Sequence, residues 1–202
     1  MRVLAIITAA ALTSATGTGC GEDPAGTPDG MLEPDGPPGP CWPEQPLTPQ
    51  GGSAVLGTGR DAFEPMPDTL PLEYGAQDGF MLVTNVRMSG FEPGNPADIL
   101  DRRNPRTRVR AYFEDTNEPL NYYINCPFRT AYVPDGAEYR LIESAPVVFE
   151  TCWRSVHLFG KRIRVELEIT DASGAYATDV KVVTAAPPTG PYVEDTGPGC
   201  IH

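Results

Sequence analysis

The chain is short of several things, and each shortage excludes a class of function. It has no apolar run near the roughly 20 residues that a membrane-spanning helix needs. Histidine occurs only at His157 and His202, and there is no C-x-x-C or H-x-x-x-H pair, so a structural zinc site is not expected and no metal or cofactor is assigned. No G-x-S-x-G is present to position a nucleophilic serine, and Gly57-Thr58-Gly59 is followed by neither a Gly-Lys-Ser/Thr nor a helix pattern, so it reads as a turn. Positive charge is scarce: Lys plus Arg number 15 against 27 acidic residues, a net charge of −12. Such a surface does not bind nucleic acid, or an anionic membrane, by bulk charge. What the chain does have is 40% hydrophobic residues, 21 glycines and 23 prolines in 202 residues, enough for one core plus turn-rich appendages.

Residues 3–12 (VLAIITAAAL) follow Met1-Arg2 and have the length of a secretory signal. Small residues then run through 13–19 to Cys20, which resembles the lipobox of bacterial lipoprotein precursors, with Gly17 in place of the usual leucine. That resemblance implies a lipid on the Cys20 sulfur, removal of residues 1–19 and a membrane anchor. Ordinary signal peptidase cleavage after Ala15 or Gly17 is the alternative.

Cysteine parity bears on this choice. The five cysteines are Cys20, Cys41, Cys126, Cys152 and Cys200, an odd number in an oxidising compartment. Lipidation of Cys20 leaves four, and of their three possible connectivities we expect Cys126–Cys152 and Cys41–Cys200. The first closes a short loop and the second ties the domain ends, each restricting the unfolded chain by roughly 3–5 kcal/mol.

Residues 21–40 are dense in Gly, Pro, Asp and Glu, and no basic residue occurs between Arg2 and Arg60. This segment reads as an extended, self-repelling tether, so the expected division is signal 1–19, tether 20–52 and domain 53–202. From residue 53 the dominant period is two. In 161–170, Ile163, Val165, Leu167 and Ile169 face one way and Arg162, Arg164, Glu166 and Glu168 the other; Asp171 to Gly174 forms a turn and 176–184 returns, with Thr178, Val180 and Val182 on one face. Further strands are expected at 53–56, 80–88, 106–114, 128–133, 138–142 and 147–153. The expected fold is all-β, a single sandwich of about 7–9 strands preceded by signal peptide and disordered tether.

Residues 165–174 (VELEITDASG) follow a V-x-L-x-V-x-D-x-x-G pattern that resembles the last hairpin of immunoglobulin-like and PKD-like extracellular domains. Residues 56–65 and 74–80 are similar to segments of uncharacterised predicted bacterial lipoproteins. The resemblance implies an immunoglobulin-like sandwich in the cell envelope and brings no activity or site with it.

Candidate chemistry is sparse. Ser155 and His157 would share one face of a strand, a weak basis for catalysis. Asp98, Asp101, Asp171 and Asp179 lie in oxygen-rich turns of the kind that hold calcium, but no D-x-D-x-D-G loop exists, and they read as caps and turn formers, with Asn95 and Pro96 opening one helical turn. Arg102, Arg103, Arg106, Arg108 and Arg110 crowd nine residues. The bland expectation is a face in which Glu166 and Glu168 balance Arg106, Arg108 and Arg110. The functional one is a docking patch at Arg102, Arg103, Arg106 and Arg108 for a carboxylate- or phosphate-bearing partner, with Tyr122, Tyr123 and Tyr132 adding aromatic surface. The resulting expectation is a lipid-anchored protein of the bacterial envelope, at the outer membrane, acting as a binding or structural module with an envelope protein or polysaccharide partner. A secreted adhesion or carbohydrate-binding module, and a hydrolase with an unrecognised site, are the alternatives.

Overall fold

The computed structural model describes residues 50–75, 79–121 and 126–193. The expected signal and the expected tether up to residue 49 fall outside them, as do Cys20, Cys41, Cys200, Tyr122 and Tyr123, whereas Gln50, near the end of that expected tether, exchanges backbone hydrogen bonds with Tyr176. The 161–170 pattern becomes β11 (Arg162–Thr170), whose Ile163, Val165, Leu167 and Ile169 are at most 1% exposed. Its hairpin partner is β12 (Tyr176–Ala186), and its other neighbour is β6 (Arg106–Phe113), which turns Val109, Ala111 and Phe113 inward. β7 (Phe128–Arg129) extends this sheet beyond β6, and β3 (Thr69–Pro71) pairs parallel to the end of β12, giving the order β3-β12-β11-β6-β7.

The second sheet is built on one long strand, β5 (Phe80–Ser89). β1 (Ser53–Thr58), β4 (Glu73–Tyr74), β9 (Glu138–Leu141) and β10 (Ala145–Val148) all pair with it. β2 (Glu64–Pro65) and β8 (Tyr132–Asp135) are added outside β1 and β9. The protein is an all-β sandwich. Leu56, Leu82, Val86 and Met88 of this sheet meet the inward row of β11 in one core. Two polar links cross that core or its margin: Tyr132 Oη lies 2.8 Å from Thr107 Oγ1, and the amide of Leu56 donates to Asp179 Oδ2 at 2.8 Å. Among the described residues, no helix is long and apolar enough to cross a membrane.

Five expectations are corrected. The described residues hold twelve strands rather than 7–9, because β2, β3 and β4 are two- or three-residue pieces, too short to show a period. The expected strand 128–133 is two strands in different sheets: Arg129 pairs with Arg106, whereas Tyr132 pairs with Leu141, the chain crossing at Thr130 and Ala131. The strand expected at 147–153 ends at Val148, and residues 149–153 turn to set Trp153 edge-on to Phe113, ring centroids 5.0 Å apart. Ser155 and His157 then stand on one helical turn, α1 (Ser155–Leu158), not on a strand. The 95–101 segment is likewise a chain of turns and not a helical turn, since Asn95 and Asp98 side chains take the amides two residues on.

The far edge of β6 is closed without a full strand. Leu120 donates its amide to Ala111 O, and the Asn121 side chain accepts from the Ala111 amide at 2.9 Å, satisfying backbone groups that an open edge would expose.

Candidate functional site: the arginine segment

The register of β6 on β11 decides what the arginines do. Arg108 lies opposite Glu168 and Arg110 opposite Glu166, as directly paired cross-strand residues. Glu168 Oε2 accepts from Arg108 Nε at 2.9 Å and Oε1 from Arg110 at 2.6 Å, while Glu166 receives Arg110 at 3.0 Å and Arg164 at 2.9 Å. Arg164 also lies 4.9 Å over the Tyr112 ring. Only 11% of the Arg108 side chain is exposed. Arg108 is therefore withdrawn from the expected docking patch and belongs, with Arg110, to a self-balanced face.

Glu168 is the centre of that face, and its loss leaves two partly desolvated guanidiniums short of a partner. We expect Glu168→Gln to lower stability by about 2 kcal/mol, below the 3–5 for a fully buried pair because the face is partly wet. A urea midpoint unchanged from the parent would contradict this.

Arg102, Arg103 and Arg106 are exposed at the surface. Arg103 is held by Asp101, with Nη2 2.6 Å from Oδ2, and its amide and Nε also donate to that carboxylate. These bonds, with one from Asn95 Nδ2, hold the Asp101 carboxyl well below the usual carboxylate range. The loop behind them is ordered by buried Asn104, whose Nδ2 donates to Asp98 O at 2.8 Å and whose Oδ1 accepts from the Asn95 amide at 2.6 Å. Gly94 packs against Asn104 with φ +79°, where a Cβ would meet Oδ1 at 2.5 Å; only glycine fits. Arg129 of β7 props the loop from outside by donating to Arg102 O at 2.7 Å, a role that no sequence spacing reveals. At its tip stand Ile99 and Leu100, which sequence reasoning passed over, 72% and 81% exposed.

The remaining candidates are placed as follows. Tyr132 is buried, not surface: desolvation pushes its phenol well above the ordinary value, against the hydrogen bond with Thr107. Asp171 Oδ1 accepts from the Ser173 amide and hydroxyl and the Ala175 amide, and Oδ2 from the Glu92 amide. Asp179 accepts from the Leu56 and Val180 amides and from Lys181. These carboxylates are spent on backbone and side-chain donors, and among the described residues no group of three or more ligating side chains converges. His157 Nδ1 accepts from the Arg154 amide at 3.2 Å, which orients the ring as a helix cap. Cys126 stands two residues before β7 and Cys152 three before α1, both half-buried.

No protein-family model matches this chain, and neither the curated proteins nor the solved structures yield a match.

Proposed function

We propose that this is an exported bacterial lipoprotein, acylated at Cys20 and held on the acidic 20–52 tether, whose immunoglobulin-like or PKD-like sandwich is a binding or structural module of the cell envelope, at the outer membrane. The observation that carries the reading is the order of segments in the chain. A ten-residue apolar run gives way to small residues ending at Cys20, then to an acidic Gly/Pro stretch, then to a folded β-domain. Cysteine parity supports it, because lipidation of Cys20 leaves an even four to pair, as an oxidising compartment favours. On this reading the bridges are Cys126–Cys152 and Cys41–Cys200. The reading is of a module without catalysis, and what supports it at Ser155 and His157 is that the imidazole Nδ1 is taken up by backbone.

Intact mass of the protein from a membrane fraction, with thiols alkylated before and after reduction, is the test. The expected result is a diacyl- or triacyl-Cys20 chain with no alkylated thiol before reduction and four after it. A soluble species cut near residue 15 or 17 and carrying one free thiol would overturn the anchor, and the secreted alternative would take its place. Peptide mapping of the unreduced sample reads the pairing, and any connectivity other than Cys126–Cys152 overturns that bridge.

A further inference from the structure

The segment that follows β12 is attached by a side chain rather than by its backbone. β12 itself is fixed to its last residue: Ala185 O accepts from the Gly160 amide, the Ala185 amide donates to Lys161 O, and Ala186 O accepts from the Leu72 amide at 2.9 Å. Beyond it, Pro187, Pro188 and Pro191 have no amide to give, and among the described residues no hydrogen bond ties 187–193 to the domain. One ring holds it. Tyr192 lies 5.6 Å from Phe80, 5.7 Å from Tyr74 and 6.1 Å from Phe159, centroid to centroid, while Pro191 and Val193 on either side are exposed.

The three rings that receive Tyr192 are positioned without its help. Tyr74 and Phe80 are paired across β4 and β5, and Phe159 is set by its own amide, which donates to Ser155 O, and by Gly160 bound to β12 just behind it. Phe80 is 1% exposed and lies deepest, with the half-buried Tyr74 and Phe159 rings 5.0 and 5.4 Å from it. Tyr192 leaves this aromatic cup incompletely used, because the Tyr74 hydroxyl is buried and has no hydrogen-bond partner. A segment whose sole task is to close the fold is expected to satisfy such a group, as most buried polar atoms are satisfied. The chemistry that fits is an extended proline-rich chain. It makes no hydrogen bonds within itself, so its carbonyls are free to accept from a phenol, and its preset conformation lets it dock on aromatic-lined surfaces.

We propose that residues 187–193 are a displaceable strap, and that the cup of Tyr74, Phe80 and Phe159 is a docking site for an extended, proline-rich segment of another protein that carries an aromatic side chain. In the chain by itself Tyr192 holds the site shut. The strap has the chemistry of the ligand it keeps out, with three prolines and a tyrosine in PPTGPYV, and so acts as an internal competitor. The ligand takes over the position of the Tyr192 ring and adds a carbonyl for the Tyr74 hydroxyl. Lipidated or secreted, the chain carries the same strap, so nothing here depends on the anchor.

The test uses the full chain and, as probe, the synthetic peptide Pro-Pro-Thr-Gly-Pro-Tyr-Val with fluorescein at its amino terminus. In fluorescence anisotropy Tyr192→Ala is expected to bind the probe about tenfold more tightly than the parent, whose own strap competes for the cup. A probe with alanine in place of tyrosine is expected not to bind, and adding Phe159→Ala to Tyr192→Ala is expected to abolish binding of the original. Equal affinity for the parent and Tyr192→Ala, or binding that survives loss of either ring, overturns the proposal. Tyr74→Phe in the Tyr192→Ala chain is expected to leave the affinity for this probe unchanged, since the strap sequence does not use the hydroxyl; a loss would remove the argument for a better ligand and overturn it. Fluorine spectra of the parent grown with 3-fluorotyrosine, with the Tyr192 signal assigned from Tyr192→Phe, follow the strap without any destabilising change. Excess unlabelled peptide is expected to move that signal to the position of a solvent-exposed tyrosine, and a signal that stays in place overturns displacement even if Tyr192→Ala does not fold. Dimerisation of the parent that disappears in Tyr192→Ala would give the cup to a second copy of this chain and overturn the separate partner.

Discussion

Replacing Phe80 by alanine is expected to lower the stability of the sandwich by about 4 kcal/mol, the size typical of emptying a buried aromatic site. Phe80 is 1% exposed and opens β5, the strand on which the second sheet is built. Its ring meets Tyr74 at 5.0 Å, Phe159 at 5.4 Å and Tyr192 at 5.6 Å, all close to edge-on, the geometry in which ring quadrupoles attract. These partners come from β4, from the end of α1 and from the segment after β12, so one side chain holds three separate stretches of chain. The cavity cannot close by moving β5, because Phe80 O accepts from the Phe149 amide and Met81 is paired on both edges, with Glu73 and Val148. For a domain of this size the melting temperature should fall by about 10 °C. Phe80→Leu, which keeps most of the volume, should cost about 1.5 kcal/mol or less. A loss below that in the alanine variant would show that the aromatic cluster does not hold this end together.

Asp171→Ala is the second large effect, expected at about 2 kcal/mol, because it leaves several amide donors without an acceptor in a partly buried turn. The carboxylate serves as a hub: it orders the β11–β12 turn through Ser173 and Ala175 and ties that turn to the end of β5 through Glu92. Asp171→Asn should recover only part, since one of its two terminal atoms becomes a donor facing a donor. Burial by itself would raise the carboxyl's pKa, but the bonds from the Glu92 amide, the Ser173 hydroxyl and the Ala175 and Ser173 amides outweigh it and hold the group below its ordinary 3.8. A carboxyl depressed in the folded state stabilises fully above its unfolded value, and that contribution is lost as pH falls through the lower folded value. The parent is therefore expected to lose stability below about pH 4 more steeply than Asp171→Asn, in urea melts taken from pH 6 down to pH 2. Parallel pH profiles would mean that the carboxylate's charge adds nothing to the turn.

Comparing these sites shows how much the linear chain discloses. The inward row of β11, the exposed side of β6 and the Asp171 turn all follow from a period of two and from turn chemistry, which act within a few residues. The balanced arginine face was half visible: alternation puts Arg108 and Glu168 on the same side of their strands, but whether they meet depends on a register 60 residues apart. The aromatic cluster at Phe80 and the prop of Arg129 under the 95–104 loop leave no local mark, since their partners come from distant segments. Ile99 and Leu100 were hidden for the opposite reason. An aliphatic pair in a sequence reads as core, and only a folded surface shows that it has none to enter.

The sequence by itself determined the strand class, the two faces of the long strands and the N-terminal order of signal-like, small-residue and acidic segments, because sterics, alternation and composition are local properties. The tertiary structure alone decided that 128–133 divides between two sheets, that Arg108 is consumed by Glu168 while Arg102 and Arg103 stay at the surface, and that Ile99 and Leu100 stand exposed on their loop. Each of these depends on which strand edges pair, a choice settled by burial of the whole apolar surface at once rather than by any one segment.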